Sequence, residues 1–192
     1  MKNDRRHVLK ITTAAVMIAL TCVLTLAVKI PTPTKGYLNL GDCAVLLSGW
    51  LLGPVWGAVA GGVGSALADL FAGYPIYVPG TLLIKAVMAA IVALVPRLFR
   101  GSGGGRHRAG LIFGAVIAEA FMVAGYWLYE AVVIGEGFAA AFAGVSGNVF
   151  QGLAGIAGSY FLIGVLSHTG AVRAYGLGGF AKCNGFQENR IR

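Results

Sequence analysis

The feature that most constrains this chain is a succession of apolar runs, each close to the length that crosses a bilayer, with little polar sequence between them. A helix needs about 20 mostly apolar residues to traverse roughly 30 Å of hydrocarbon. Helices are expected over about 8–29, 41–54, 55–72, 79–96, 109–131 and 139–166. The run 41–72 is divided at "LLGPVWG", because Pro54 has no N–H with which to continue a helix. Only 11% of the 192 residues are charged and the mean hydropathy is +0.78, whereas about a quarter of the residues of a soluble domain carry charge. Lipid is the main solvent. The expected fold is an all-α integral membrane protein, a six-transmembrane-helix bundle over 1–168, followed by a disordered cytoplasmic tail at 169–192.

The opening "MKNDRRHVLKITTAAVMIAL" is basic and then apolar, as a secretory signal is. Its apolar run exceeds the roughly 7–15 residues of a signal core, and "TLA" at Thr25–Ala27 is a poor cleavage site, so a retained first helix is expected. Cys22, Cys43 and Cys183 form no CxxC and no ligand cluster, which leaves no basis for a disulfide framework, a metal or a cofactor.

The net charge of +8 is distributed as a topology signal rather than a nucleic-acid patch. Lys2, Arg5, Arg6 and Lys10 precede or open the first run. Arg97, Arg100, Arg106 and Arg108 lie between the fourth and fifth, and Arg173, Lys182, Arg190 and Arg192 follow the sixth. The positive-inside rule then puts both termini in the cytoplasm. Loop one, "KIPTPTKGYLNLGD", and loop three, "GYPIYVPG", fall on the outer face.

Polar residues interrupt the oil at few places. An ionisable group within a span costs about 2.5–3.5 kcal/mol on insertion scales, so it needs a partner or a task. Asp69, Lys85 and Glu119 are such groups, with Asp69 and Lys85 open to reading as a structural ion pair. Asn148 and Gln151, three residues apart, share a helix face, as do Glu119, Tyr126 and Glu130, spaced by seven and four. Interhelical hydrogen bonding accounts for such groups singly; several polar faces beneath a polar outer loop point to a shared small-molecule cavity. Gly49, Gly53, Gly57, Gly61 and Ser65 recur every four residues and allow close helix approach, while Ala15 and Ala19 form a small-xxx-small pair fit for packing or for docking a partner. There is no GxxxxGK[ST], HExxH or GxSxG motif, so neither nucleotide hydrolysis nor enzyme chemistry is expected of this chain.

The block "GYLNLGDCAVLLSGWLLGPVWGAVAGGVGSALADLFAGYPIYVPGTLLIKAVMA", 36–89, resembles the substrate-binding S components of energy-coupling factor (ECF) vitamin transporters, in the branch around riboflavin, hydroxymethylpyrimidine and pyridoxine. Asn39–Asp42, "LLGP", Gly64–Asp69, Gly73–Pro75 and Ile84–Lys85 carry the likeness; helices five and six match more loosely. The resemblance implies a subunit of a prokaryotic cell membrane that captures a small B-vitamin or precursor outside, with hydroxymethylpyrimidine or pyridoxine types favoured and riboflavin possible. Uptake would be driven by a transmembrane coupling subunit, docked at Ala15 and Ala19, and two cytoplasmic ATPases. Loops one and three would cap the ligand. The residues expected to hold it are Tyr37, Asn39, Asp42, Tyr74, Tyr77, Lys85, Glu119, Tyr126, Asn148 and Gln151, with no metal and no catalytic group. The alternative is a proton-coupled secondary transporter of a small polar metabolite working through Glu119 and Asp69.

Overall fold

The computed structural model describes residues 2–31, 37–99 and 104–167. The tail 169–192 with Cys183, and Lys35 and Gly36 of loop one, lie outside these residues. The elements run α1 (Lys2–Ala27), β1 (Ile30–Pro31), β2 (Tyr37–Leu38), α2 (Gly41–Ala72), α3 (Val78–Leu98), α4 (Gly104–Leu128), a π-helical turn (Tyr129–Val133) and α5 (Phe138–Ser167). Five of these helices are long and apolar enough to cross a membrane among the described residues. Large apolar side chains point outward from all of them, among them Val16, Val55, Leu83, Phe113 and Phe150. Such a surface is an aggregation liability in water but matches lipid tails.

The two spans expected at 41–54 and 55–72 form one element, α2, with a break inside it. Gly53 has φ 81° and ψ −176°. Pro54 forces the preceding residue out of helical ψ, and only glycine takes that positive φ without strain. The chain doubles back there. A Cβ on Gly57 would lie 2.7 Å from the Gly49 Cα, one on Gly61 would lie 3.0 Å from Val45 Cγ1, and the Ser48 hydroxyl reaches the Gly57 carbonyl at 3.2 Å. Residues eight apart in a continuous helix would be about 12 Å apart, so the two halves are antiparallel and pressed backbone to backbone. The glycine ladder of the sequence is therefore internal packing.

Other small residues seat α1 and α3 on this hairpin. Gly64 meets the Ile18 carbonyl and Thr21 of α1, and Gly62 meets the Leu82 carbonyl and Ala86 of α3. Ala14, Met17, Val45, Leu46, Met88, Val92, Leu111, Met122 and Ile163 fill the centre. Ala15 and Ala19 face outward from α1, opposite its packed face.

The first half of α2, Gly41–Leu52, is about 18 Å long at 1.5 Å per residue, well short of the hydrocarbon thickness. Its first turn nonetheless meets Lys85, which lies about 10 Å along α3 from Val78. Loop one must therefore descend between the helices before α2 begins, and it carries Tyr37 and Asn39 into the bundle as it does so. β1 and β2 form the antiparallel neck of that loop, with Ile30 opposite Leu38.

Candidate ligand-binding site

Where loop one enters, the ends of the other helices close around a cavity of about 30 Å³. Its walls are Tyr37 and Asn39 from loop one, Asp69 at the end of α2, and Tyr77 and Thr81 at the start of α3. Tyr126 and Glu130, from α4 and its π turn, and Gly144, Asn148 and Gln151 of α5 complete it. The space suits one or two waters, not a vitamin. The bundle is closed over its site.

The polar groups are wired in two layers. In the outer layer the Tyr37 hydroxyl donates to Asp69 Oδ1 at 2.7 Å and the Tyr77 hydroxyl to Glu130 Oε1 at 3.2 Å. The Tyr126 hydroxyl lies 3.0 Å from Thr81 Oγ1. Tyr74 does not line the cavity but packs on Tyr37, with ring centroids 4.9 Å apart. Tyr77 in turn lies 6.5 Å from Tyr126 and 6.2 Å from Tyr129, so an aromatic chain runs around the rim. Burial, and then the neighbouring Asp69 charge and hydrogen bond, push the Tyr37 phenol well above its ordinary pKa.

The inner layer lies behind the cavity. Lys85 Nζ is paired with Asp42 Oδ1, and the two side chains are 2% and 0% exposed. Gln151 donates through Nε2 to Asp42 Oδ2 at 2.8 Å and accepts the Asn39 N–H at Oε1, also at 2.8 Å. Asn39 Oδ1 accepts the Gly41 N–H at 2.8 Å and so closes the first turn of α2. Lys85 Nζ also sits over the Tyr126 ring, 5.4 Å from its centroid. Glu119 is 4% exposed and wedged against α5 where glycines make room: a Cβ on Gly152 would lie 3.1 Å from Oε2, and one on Gly155 2.7 Å from Oε1. Neither Glu119 oxygen has a hydrogen-bond partner among the described residues.

Six of the ten expected ligand residues, Tyr37, Asn39, Tyr77, Tyr126, Asn148 and Gln151, thus meet at one cavity. Asp42, Lys85 and Glu119 stand behind it. The reading of Asp69 and Lys85 as a pair is corrected: Lys85 belongs to Asp42, and Asp69 takes the Tyr37 hydroxyl. Thr81, Gly144, Asp69 and Glu130 also line the cavity and are not among the residues that the sequence leads one to expect at the ligand. Thr81 was recoverable, since Tyr77, Thr81 and Lys85 recur every four residues and share a face of α3.

Comparison with known proteins decides the family. Residues 5–168 match the model of the ECF-type riboflavin transporter, S component. The chain belongs to that family. It is a substrate-binding component of a vitamin transporter, not an enzyme. Its fold is similar to that of the S component of a bacterial ECF transporter, with a TM-score of 0.62 over 88% of this chain and 98% of the other, at 20% identity. A Pyrococcus woesei relative, described only as an uncharacterized protein in a gap 3' region, is 41% identical over 120 residues, 62% of this chain and 76% of that one. The cavity of this S component lies at the loop-one end of the bundle.

Proposed function

We propose that this S component captures a small heteroaromatic B-vitamin or precursor from outside a prokaryotic cell and delivers it to a transmembrane coupling subunit powered by two cytoplasmic ATPases. The observation that carries the proposal is the closed, tyrosine-rimmed cavity where loop one, α2, α3, α4 and α5 converge. Flat rings stack well between tyrosines, and Asn39 and Asn148 offer directed polar partners for ring nitrogens and hydroxyls. The cavity as it stands is far too small for such a ring, so loading requires loop one to lift with Tyr37. Compact pyrimidine and pyridine vitamers demand the smaller displacement; riboflavin is the second reading, favoured by the family model.

The back-folded α2 supports counting its two halves as separate passes, giving six, with both termini on the basic, cytoplasmic side and the cavity facing out. Docking falls to the outward Ala15 and Ala19 face of α1, where large side chains would hold a partner helix away. Calorimetry on the purified chain in detergent tests capture, against pyridoxine, pyridoxamine, hydroxymethylpyrimidine, thiamine and riboflavin. One compound should bind tightly, and Asn148→Ala should weaken it at least about tenfold. Folded protein that binds none of them refutes the proposal. In the docking test, Ala15→Leu/Ala19→Leu should keep ligand affinity and lose co-purification with the coupling subunit.

A further inference from the structure

The end of the bundle opposite the cavity sets cations on an apolar rim. There α2 breaks at Gly53, α3 finishes with Arg97 and Leu98, and α4 begins at Gly104, with Arg106 and Arg108 soon after. Arg97 and Arg106 are exposed. A Cβ on Gly53 would lie 3.8 Å from an Arg97 guanidinium nitrogen, so that side chain runs beside the break in α2. A Cβ on Gly110 would lie 2.8 Å from the Phe99 Cβ, which presses the end of α3 onto the start of α4. Arg97 and Arg106 thus flank one helix junction, each within about a turn of it. Gly64 meets the Ile18 carbonyl, and eight residues back along these parallel helices stand the half-buried Trp56 and the exposed Lys10. Indole rings and cations collect where hydrocarbon gives way to headgroups. Hydrocarbon reaches this level, since Val55 is 70% and Leu98 83% exposed. The sequence holds no acid between Asp69 and Glu119, and Asp4 is outnumbered by Lys2, Arg5, Arg6 and Lys10.

We propose that this ledge binds an anionic phospholipid, its phosphate between Arg97 and Arg106 and its acyl chains along Leu98 and Phe113. Guanidinium forks donate paired hydrogen bonds to phosphate oxygens, and long stems lie on apolar surface while their heads reach the polar layer. Phe113 is exposed and packs edge-on to Phe99 at 5.7 Å, which continues the apolar surface from the junction into the membrane. Cations and exposed apolar side chains share one surface, and a phospholipid satisfies both at once, where an acidic protein segment would satisfy only the charge. The lipid would bridge the α2 break, the end of α3 and the start of α4, far from the vitamin cavity and independently of capture. Each cation at a membrane surface favours anionic lipid by about fivefold.

The purified chain in neutral detergent is titrated with phosphatidylglycerol or with phosphatidylcholine of the same acyl chains, and its melting temperature is followed. Phosphatidylglycerol should raise it by several degrees, with a midpoint at least about tenfold lower than that of phosphatidylcholine, and added salt should weaken the preference. Arg97→Gln/Arg106→Gln should bring the two lipids within about threefold, whereas Lys29→Gln, an exposed cation at the cavity end, should leave the preference unchanged. If the double variant fails to fold, either single variant decides, with an expected loss of about fivefold. Equal response to the two lipids overturns the proposal. So does a folded double variant that keeps the full preference, which would assign the attraction to other cations. Inorganic phosphate that reproduces the shift overturns the lipid as the source of the anion. A double variant that loses co-purification with the coupling subunit, from a parent without lipid preference, makes the ledge a protein-docking surface instead.

Discussion

Replacing Lys85 by Met keeps the aliphatic stem and deletes the ammonium, leaving Asp42 fully buried with only the Gln151 amide facing it. Removing one partner of a buried ion pair costs about 3–5 kcal/mol, because the surviving charge is stranded without water. The Gln151 hydrogen bond offsets little of this, since it already exists in the parent. For a chain of this length the loss corresponds to a fall of roughly 6–20 °C in the melting temperature. Cys22 and Cys43 are buried free thiols, so a thiol-reactive dye in a Cys183→Ser background reports unfolding in detergent directly. Asp42→Asn alone strands the lysine and should cost a similar amount. The double variant Asp42→Asn/Lys85→Met buries no net charge and should recover most of the loss, a favourable coupling of at least about 2 kcal/mol. A Lys85→Met variant within about 1 kcal/mol of the parent, or a double variant no more stable than the worse single, would refute the assignment of this pair as the structural centre of the bundle.

Two further outcomes are expected. Gly57→Ala puts a Cβ 2.7 Å from the Gly49 Cα, a backbone atom that cannot swing aside, so the halves of α2 must part at a cost of about 1–3 kcal/mol; Gly53→Ala meets the separate strain of φ 81°, about 1–2 kcal/mol. Both read out in the same melting assay, and a neutral Gly57→Ala would contradict the back-to-back packing. The raised Tyr37 phenol should stay protonated through pH 10, where ordinary tyrosines ionise. Its contribution to stability is thus complete below that pH and fades as the pH rises toward the raised value. The ultraviolet difference between the parent and Tyr37→Phe should show no tyrosinate step before the protein unfolds.

How far the sequence reveals this structure depends on the range over which each residue acts. Span lengths, the polar loop and the glycine ladder are local properties, read directly from hydrophobic runs and four-residue spacing. The Gly53–Pro54 break was equally legible, because both residues impose their geometry on adjacent bonds. The partner of Lys85 was not. Asp69 is sixteen residues away and Asp42 forty-three, and both lie on the hairpin that packs against α3. The choice depends on how deeply each half of that hairpin begins. The short first half puts Asp42 at the level of Lys85, while Asp69 finishes higher, beside Tyr37. The same depth offset separates the cavity-lining residues from Asp42, Lys85 and Glu119 behind them, a distinction that one-dimensional spacing does not contain.

The inner layer explains how a loop can be both part of a binding wall and able to move. Asn39 is held by two hydrogen bonds, its backbone N–H donating to Gln151 and its side-chain Oδ1 accepting the Gly41 N–H, each worth about 1 kcal/mol net. Asp42, three residues on, is anchored by a fully buried ion pair whose rupture costs several times more. Stability therefore rises steeply over a few residues, from a loop that can be lifted to a helix start that cannot. Ligand groups entering beside Gln151 and Asn148 compete for the hydrogen bonds that hold the loop, not for those that hold the bundle.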